Sequence, residues 1–151
     1  NPINHSIFPR MSKYYNKNKI DANRKFIYLI TILFLACLII CLFINLFIDT
    51  IVIYFTKENI YEVSKILKIL SISFIFNVIY EFLINQYLVV NKLFYEINKA
   101  KSLILLSCIS IGIPMIFFRG VYGAAITNLI YESVGLTYAF RIYFKTYKLN
   151  K

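Results

Sequence analysis

The chain has 151 residues, of which 60% are hydrophobic and 16% are charged, and it contains no tryptophan. Soluble domains are typically about 45–50% apolar and about 25% charged, so this composition excludes an ordinary soluble globular protein. The apolar residues lie in long blocks, and lipid cannot hydrogen-bond backbone amides, so each block is expected to be helical. The composition therefore predicts an all-α membrane protein.

The formal net charge of +10 is interpreted as a membrane signal. Lysine and arginine residues are scattered over short connections, whereas nucleic-acid binding usually gathers them on one surface. We therefore expect membrane lipid as a partner and no nucleic acid. The single histidine, His5, has no recognised ligand spacing to Cys37, Cys41 or Cys108, so we expect no metal and no cofactor. The sequence also contains no phosphate-binding loop and no nucleophile motif, so we expect no enzyme activity.

Four apolar blocks predict a polytopic bundle of about four transmembrane helices. Residues 1–25 are basic and are expected to form a cytoplasmic segment that follows a truncated span. The bundle and a short basic tail occupy residues 26–151, with predicted spans at about 26–54, 66–90, 102–118 and 121–140. The intervening sequence predicts a connection over 56–65, a polar loop over 91–101 and a basic tail over 141–151.

The distribution of basic residues predicts the orientation of the bundle. With four spans, segments 1–25, 91–101 and 141–151 lie on one side of the membrane, and they carry 13 of the 17 lysine and arginine residues. Basic residues favour the cytoplasmic side. We therefore expect a multi-pass protein with a cytoplasmic C-terminus.

The last two apolar blocks are separated only by residues 118–120, which predicts a tight antiparallel hairpin. Glycine permits both the turn and the close approach of two backbones. The small residues expected to pack there are Gly120, Gly123, Ala124 and Thr127. Pro114, in the third span, is interpreted either as a packing kink or as a hinge that moves when a transporter changes face.

Polar residues interrupt three of the predicted spans, and in the first span they are Asn45 and Asp49, near its outer end. Asn77, Glu81 and Asn85 recur every four residues and so share one helical face, and Glu132 lies within the last span. A carboxyl group at membrane depth is costly. One interpretation is hydrogen bonding between packed helices, with the glutamates protonated. The other is a translocation path or a site that couples transport to a proton or cation.

Three stretches stand out, at residues 7–12 (IFPRMS), 85–92 (NQYLVVNK) and 120–125 (GVYGAA), and the acidic residue Glu132 follows the third of them. In this order, and with this downstream acid, they resemble the C-terminal part of bacterial polysaccharide flippases, the O-antigen transporters of the MATE-like superfamily.

The resemblance implies that the chain is part of the second lobe of a two-lobed transporter, whose N-terminal lobe would precede it on the same polypeptide. It implies that an undecaprenyl-diphosphate-linked oligosaccharide, for O-antigen or another surface polysaccharide, crosses the bacterial inner membrane by alternating access. A coupling cation is a further partner that such a mechanism allows. Asn77, Glu81, Asn85 and Glu132 are the candidate path and coupling residues.

Other functions remain open. The chain could be a small stand-alone structural or pore-forming membrane protein, or a fragment of a membrane-embedded polysaccharide polymerase. A polymerase is expected to carry a large outer loop with functional arginines, whereas the outer hairpin here offers only Arg119. Within the same superfamily, a peptidoglycan-precursor flippase or a multidrug exporter would give a similar sequence.

Overall fold

The computed structural model describes residues 19–55 and 60–149, and nearly all of these residues are helical. The stretch at 7–12, His5 and residues 56–59 lie outside the described residues. The described helices are α1 (Lys19–Phe55), α2 (Ile60–Leu83), α3 (Phe94–Ser107) and α4 (Ile113–Leu149). Two wider π-helical turns prolong α2 and join α3 to α4, over Ile84–Leu88 and Cys108–Gly112 respectively.

Three helical segments of the described chain are long and apolar enough to cross a membrane: Asp21–Phe55, Tyr61–Leu88 and Phe94–Tyr147. The third has 54 residues, and a straight helix of that length would measure about 80 Å. That length far exceeds the hydrocarbon core of a bilayer, which is about 30 Å thick. The segment is instead folded at Gly120, where φ is 54° and ψ is −133°. Three continuous segments thus correspond to the four predicted spans.

The sharp turn at Gly120 requires glycine, because residues with a Cβ atom rarely adopt those backbone angles. It divides the segment into a first arm, residues 94–119, and a second arm, residues 121–149. The arms are antiparallel, because residues with lower sequence numbers on the first arm contact residues with higher sequence numbers on the second. Three close contacts show this: Gly112 with Thr127, Gly123 with the Met115 backbone, and Gly135 with Ile104.

Helix α1 lies at the edge of the bundle and packs mainly against α2. The two helices run antiparallel, with Asn45 Nδ2 donating to Ser71 Oγ at 2.9 Å near one end. At the other end the rings of Phe26 and Phe82 stack with centroids 5.5 Å apart. Only 11% of the most apolar stretch of α1 is buried, so most of its apolar surface is open.

Four buried aromatic rings tie α1, α2 and the second arm together at one end of the bundle; they belong to Phe26, Phe82, Tyr87 and Tyr143. Phe26 lies with its ring centroid 5.4 Å from those of both Tyr87 and Tyr143. Tyr87 and Tyr143 meet edge to face at 4.6 Å. The start of α1 and the end of α4, which carry the predicted basic segment and the predicted basic tail, both lie at this end, so we call it the basic end. The opposite end, with Gly120, is the hairpin end.

A tight turn over residues 89–93 joins α2 to α3 at the basic end. The Leu93 amide donates to the Leu88 carbonyl at 2.9 Å, and Asn91 Nδ2 donates to the Tyr87 carbonyl at 2.8 Å. These bonds satisfy carbonyls that the helix end leaves without partners. Lys92 has a φ of 58°, a left-handed conformation that costs a non-glycine residue about 1–2 kcal/mol.

The helices extend well beyond the predicted spans. Helix α1 begins at Lys19, inside the predicted basic segment, and α4 continues to Leu149, through most of the predicted tail. The polar loop predicted over 91–101 is wrong for most of its length, because α3 begins at Phe94. Likewise α2 begins at Ile60, within the predicted connection. Lysine and glutamate are good helix formers, so hydropathy locates the lipid-compatible stretch and not the helix end.

The π-helical turn at Cys108–Gly112 has a local cause in Pro114. Proline has no N–H, and its ring crowds the carbonyl four residues earlier, here that of Ser110. A wider turn at that carbonyl relieves the crowding without ending the helix. Pro114 itself is exposed. Its role as a hinge stays a hypothesis.

Replacing Gly123 with valine should disrupt the hairpin. A Cβ atom at this position would overlap the backbone carbonyl of Met115, and backbone atoms cannot move aside by changing rotamer. We expect a loss of about 3 kcal/mol, the upper part of the range for overpacking, measured by unfolding in detergent micelles. The control is Ala36→Val on the exposed surface of α1, which should change stability by less than about 0.5 kcal/mol. Equal losses for the two variants would contradict the close packing of the arms.

Candidate functional site

Helix α2 and the second arm run parallel, in a register that brings four pairs of residues together. Two of these pairs are polar, and in both the partners are 55 positions apart in the sequence. Gly135 leaves room for the Tyr80 ring at the same spacing. The paired residues along this interface are Ser73 with Asn128, Asn77 with Glu132, Tyr80 with Gly135, and Tyr87 with Tyr143.

The bond between Asn77 and Glu132 is at the centre of the candidate site. Asn77 Nδ2 donates to Glu132 Oε1 at 2.7 Å. Glu132 is only 4% exposed, whereas Asn77 is half-buried. A buried carboxyl group without hydrogen bonds would be strongly unfavourable. The amide of Asn77 therefore stabilises Glu132 at this depth.

One helical turn toward the hairpin end, Asn128 Nδ2 donates to Ser73 Oγ. Ser73 is fully buried. The neighbouring Thr127 packs against Gly112 of the first arm, and its hydroxyl donates to the Gly123 carbonyl at 2.8 Å, within its own helix. The two interhelical bonds thus form a short ladder that fixes the register of α2 against the second arm.

Glu81 on α2 and Asn85 on the π-helical turn that prolongs α2 form a separate pair. Asn85 Nδ2 donates to Glu81 Oε2 and to the Glu81 backbone carbonyl, both at 2.9 Å. Both side chains are half-buried. Glu81 lies one helical turn from Asn77 along α2. The site therefore holds two carboxyl groups: that of Glu132 is buried, and that of Glu81 is half-buried.

The structure brings Asn77 and Glu132 together, whereas Glu81 and Asn85 bond only to each other in the contacts described above. A carboxyl group held by an amide can release or take up a proton, or attract a cation, without covalent chemistry. The residues expected to pack at the hairpin are placed as follows: Gly120 is exposed at the turn, Ala124 is half-buried, and Gly123 and Thr127 are buried.

Two interhelical contacts were not assigned from the sequence. Asn45 and Ser71 join α1 to α2 at 2.9 Å, and the Tyr138 hydroxyl donates to Glu96 Oε2 at 2.6 Å between the arms. The polar residues Asn45 and Ser71 inside apolar blocks were the available signal for the first contact. Glu96 gave no signal, because it falls in the stretch predicted to be a loop.

Within residues 19–55 and 60–149, no group of three or more histidine, cysteine, aspartate or glutamate residues could hold a metal ion. The three cysteines are free thiols, with Cys37 and Cys41 buried and Cys108 half-buried. The Cys41 thiol lies 3.5 Å from Ser71 Oγ, so it packs in the contact between α1 and α2.

Comparisons with protein-family models, with curated proteins and with solved structures found no match to this chain.

Removing the Asn77–Glu132 bond should lower the free energy of unfolding, and the effects of replacing its two residues should not be additive. In a double-mutant cycle of Asn77→Ala and Glu132→Ala, we expect a coupling free energy of about 1 kcal/mol, as for interhelical hydrogen bonds in membrane proteins. Glu132→Gln should retain most of the stability, because its carbonyl oxygen can accept the same bond. Unfolding in detergent provides the measurement.

The matched control cycle combines Asn77→Ala with Thr137→Ala. Thr137 is exposed and donates to the Ser133 carbonyl of its own helix at 2.7 Å. These two substitutions should be additive within about 0.5 kcal/mol. An additive result for Asn77 and Glu132 as well would contradict a bond that fixes the register of the two helices.

Proposed function

We propose that this chain belongs to a membrane transporter of the MATE-like superfamily, which flips a lipid-linked oligosaccharide across the bacterial inner membrane. The reaction is transport by alternating access and includes no covalent step. The chain would supply helices of the second lobe, and the other lobe of the same transporter would form the opposite wall of the cavity. The three stretches named from the sequence support this assignment.

The observation that carries the proposal is the half-buried carboxyl group of Glu81. It lies seven residues, or about 10 Å, inside the end of the apolar segment Tyr61–Leu88. A carboxyl group that served packing alone would be enclosed, as Glu132 is at 4% exposure. Glu81 instead faces a partly open side of the bundle, where it could meet water, substrate or a coupling cation.

The substrate class explains why such a polar side is needed. A diphosphate with a hydrated oligosaccharide cannot cross hydrocarbon unaided, because charged and polar groups lose their hydrogen bonds to water there. A transporter therefore provides a polar path between its lobes. Asn77, Glu81 and Asn85 would line the contribution of this chain to that path, while Glu132 would hold Asn77 in place.

Glu81→Gln in the intact transporter should impair flipping by roughly tenfold or more, as expected when a coupling carboxyl group loses its charge. The measurement is the transfer of a labelled undecaprenyl-diphosphate oligosaccharide across proteoliposome membranes. The control, Asp49→Asn, removes an exposed carboxylate whose ion pair with Lys68 has its atoms 3.3 Å apart. Exposed pairs of this kind contribute little, so this variant should transport normally.

Normal flipping by Glu81→Gln would contradict a role for Glu81 in the path. Transport that is lost equally in both variants would indicate a general sensitivity to charge. Ion leakage through the unmodified protein without any lipid transfer would favour the small pore-forming protein instead.

We further propose that the basic end faces the cytoplasm, so that the C-terminus is cytoplasmic. Phe118 is 80% exposed at the hairpin end, and Lys92 is exposed in the turn at the basic end. In intact cells, a membrane-impermeant maleimide should label a Phe118→Cys variant, whereas a Lys92→Cys variant should be labelled only after permeabilisation. The unmodified protein is the control, because Cys37 and Cys41 are buried and Cys108 is half-buried. The reverse labelling pattern would contradict this orientation.

A further inference from the structure

A cleft of about 410 Å³ lies at the hairpin end, between the first two turns of α2 and the start of the second arm. This volume is within the range of small-ligand sites, roughly 300–1,000 Å³. The same register that pairs Ser73 with Asn128 brings these two helix starts together. The cleft is lined by Tyr61, Glu62, Lys65, Ile66, Arg119, Val121 and Tyr122. We call it the hairpin cleft.

The side chains of the hairpin cleft combine two cations with two aromatic rings. Lys65 Nζ lies 5.2 Å from the ring centroid of Tyr122 and 5.9 Å from that of Tyr61, within the range of cation–π attraction. This arrangement holds the ammonium group at the cleft. Among the described residues, neither Lys65 nor Arg119 has a carboxylate within salt-bridge distance. The cleft therefore presents two cations that are available to an anion.

The residues around the cleft are suited to the surface of a membrane. Phe117 and Phe118 are 83% and 80% exposed, and Val121 is 72% exposed. Such apolar side chains beside Arg119 and two tyrosines are typical of the level where acyl chains meet headgroups. A ligand would reach the hairpin cleft from the headgroup layer.

We propose that the hairpin cleft binds the headgroup of an anionic membrane lipid that carries a phosphate and a hydroxylated group. Arg119 and Lys65 would hold the phosphate, since guanidinium and ammonium groups both bind phosphate oxygens well. The Glu62 carboxylate, also on the cleft wall, would accept hydrogen bonds from hydroxyl groups of glycerol or sugar. This binding goes beyond the proposed transport and does not depend on the path around Glu81.

The first experiment titrates the purified 151-residue chain with phosphatidylglycerol in detergent and counts bound lipids by native mass spectrometry. We expect one lipid to bind more tightly than the rest. Lys65→Gln combined with Arg119→Gln should weaken that binding by roughly tenfold or more, because each cation near an anionic lipid adds to the affinity. Tyr122→Leu, which keeps both charges, should weaken it by a few-fold through loss of the ring beneath Lys65.

The matched control combines Lys99→Gln with Lys101→Gln. It removes the same number of charges from exposed positions near the basic end of α3 and should leave the tight binding unchanged. An equal loss of affinity in this control would overturn the proposal, since binding would then follow net charge alone.

Two further arms identify the source of the phosphate. Phosphatidylcholine, which carries a phosphate but no net charge and no free hydroxyl group, should bind at least roughly tenfold more weakly than phosphatidylglycerol. Inorganic phosphate at millimolar concentration should not displace the bound lipid. Equal binding of phosphatidylcholine would overturn the proposed headgroup selectivity, and displacement by free phosphate would assign the cleft to a soluble anion instead of a lipid. Circular dichroism of each variant confirms that the helices remain folded.

Discussion

The parallel alignment of α2 and the second arm is the constraint on which the rest of the bundle depends. Two parallel neighbours cannot be joined by a short turn, so a third helix must return the chain along the bundle. The first arm is that helix, and Gly120 is where the chain turns back. The register itself depends on two polar pairs, each with one buried member, Glu132 and Ser73. An unsatisfied amide or carboxyl group in an apolar interface costs more than most apolar contacts contribute.

The bundle separates enclosed polar groups from partly open ones. Glu132 and Ser73 are buried and bonded across helices, so they fix how the helices pack. Glu81 and Asn85 are half-buried and bond to each other within one helical segment, so this bond joins no two helices. A bond within one helical segment can be exchanged for another without breaking a contact between helices. This separation would suit the transport that we propose, in which the polar side binds and releases its ligand.

The sequence predicted the helical class, the hairpin at residues 118–120 and the polar stripe of α2, because these depend on local composition and helical spacing. It could not predict that Asn77, and not Glu81, meets Glu132. The two candidates are one turn apart, and the choice depends on the crossing angle and offset of two helices that are 55 residues apart. The hairpin cleft was missed for the same reason, since Lys65 and Arg119 come together only through that offset. Helix ends were missed because lysine and glutamate continue a helix as readily as leucine does.

The 55-residue offset also has a consequence during biosynthesis. Ribosomes add about 5–20 residues per second, so Glu132 emerges roughly 3–11 s after Asn77. During that interval the α2 segment is complete, but the amide of Asn77 and the hydroxyl of Ser73 lack their partners on the second arm. Entry of α2 into lipid would then be unfavourable until the second arm arrives. Newly made α2 is thus expected to wait beside the insertion machinery, or at the water-exposed edge of the membrane, and to enter together with the hairpin.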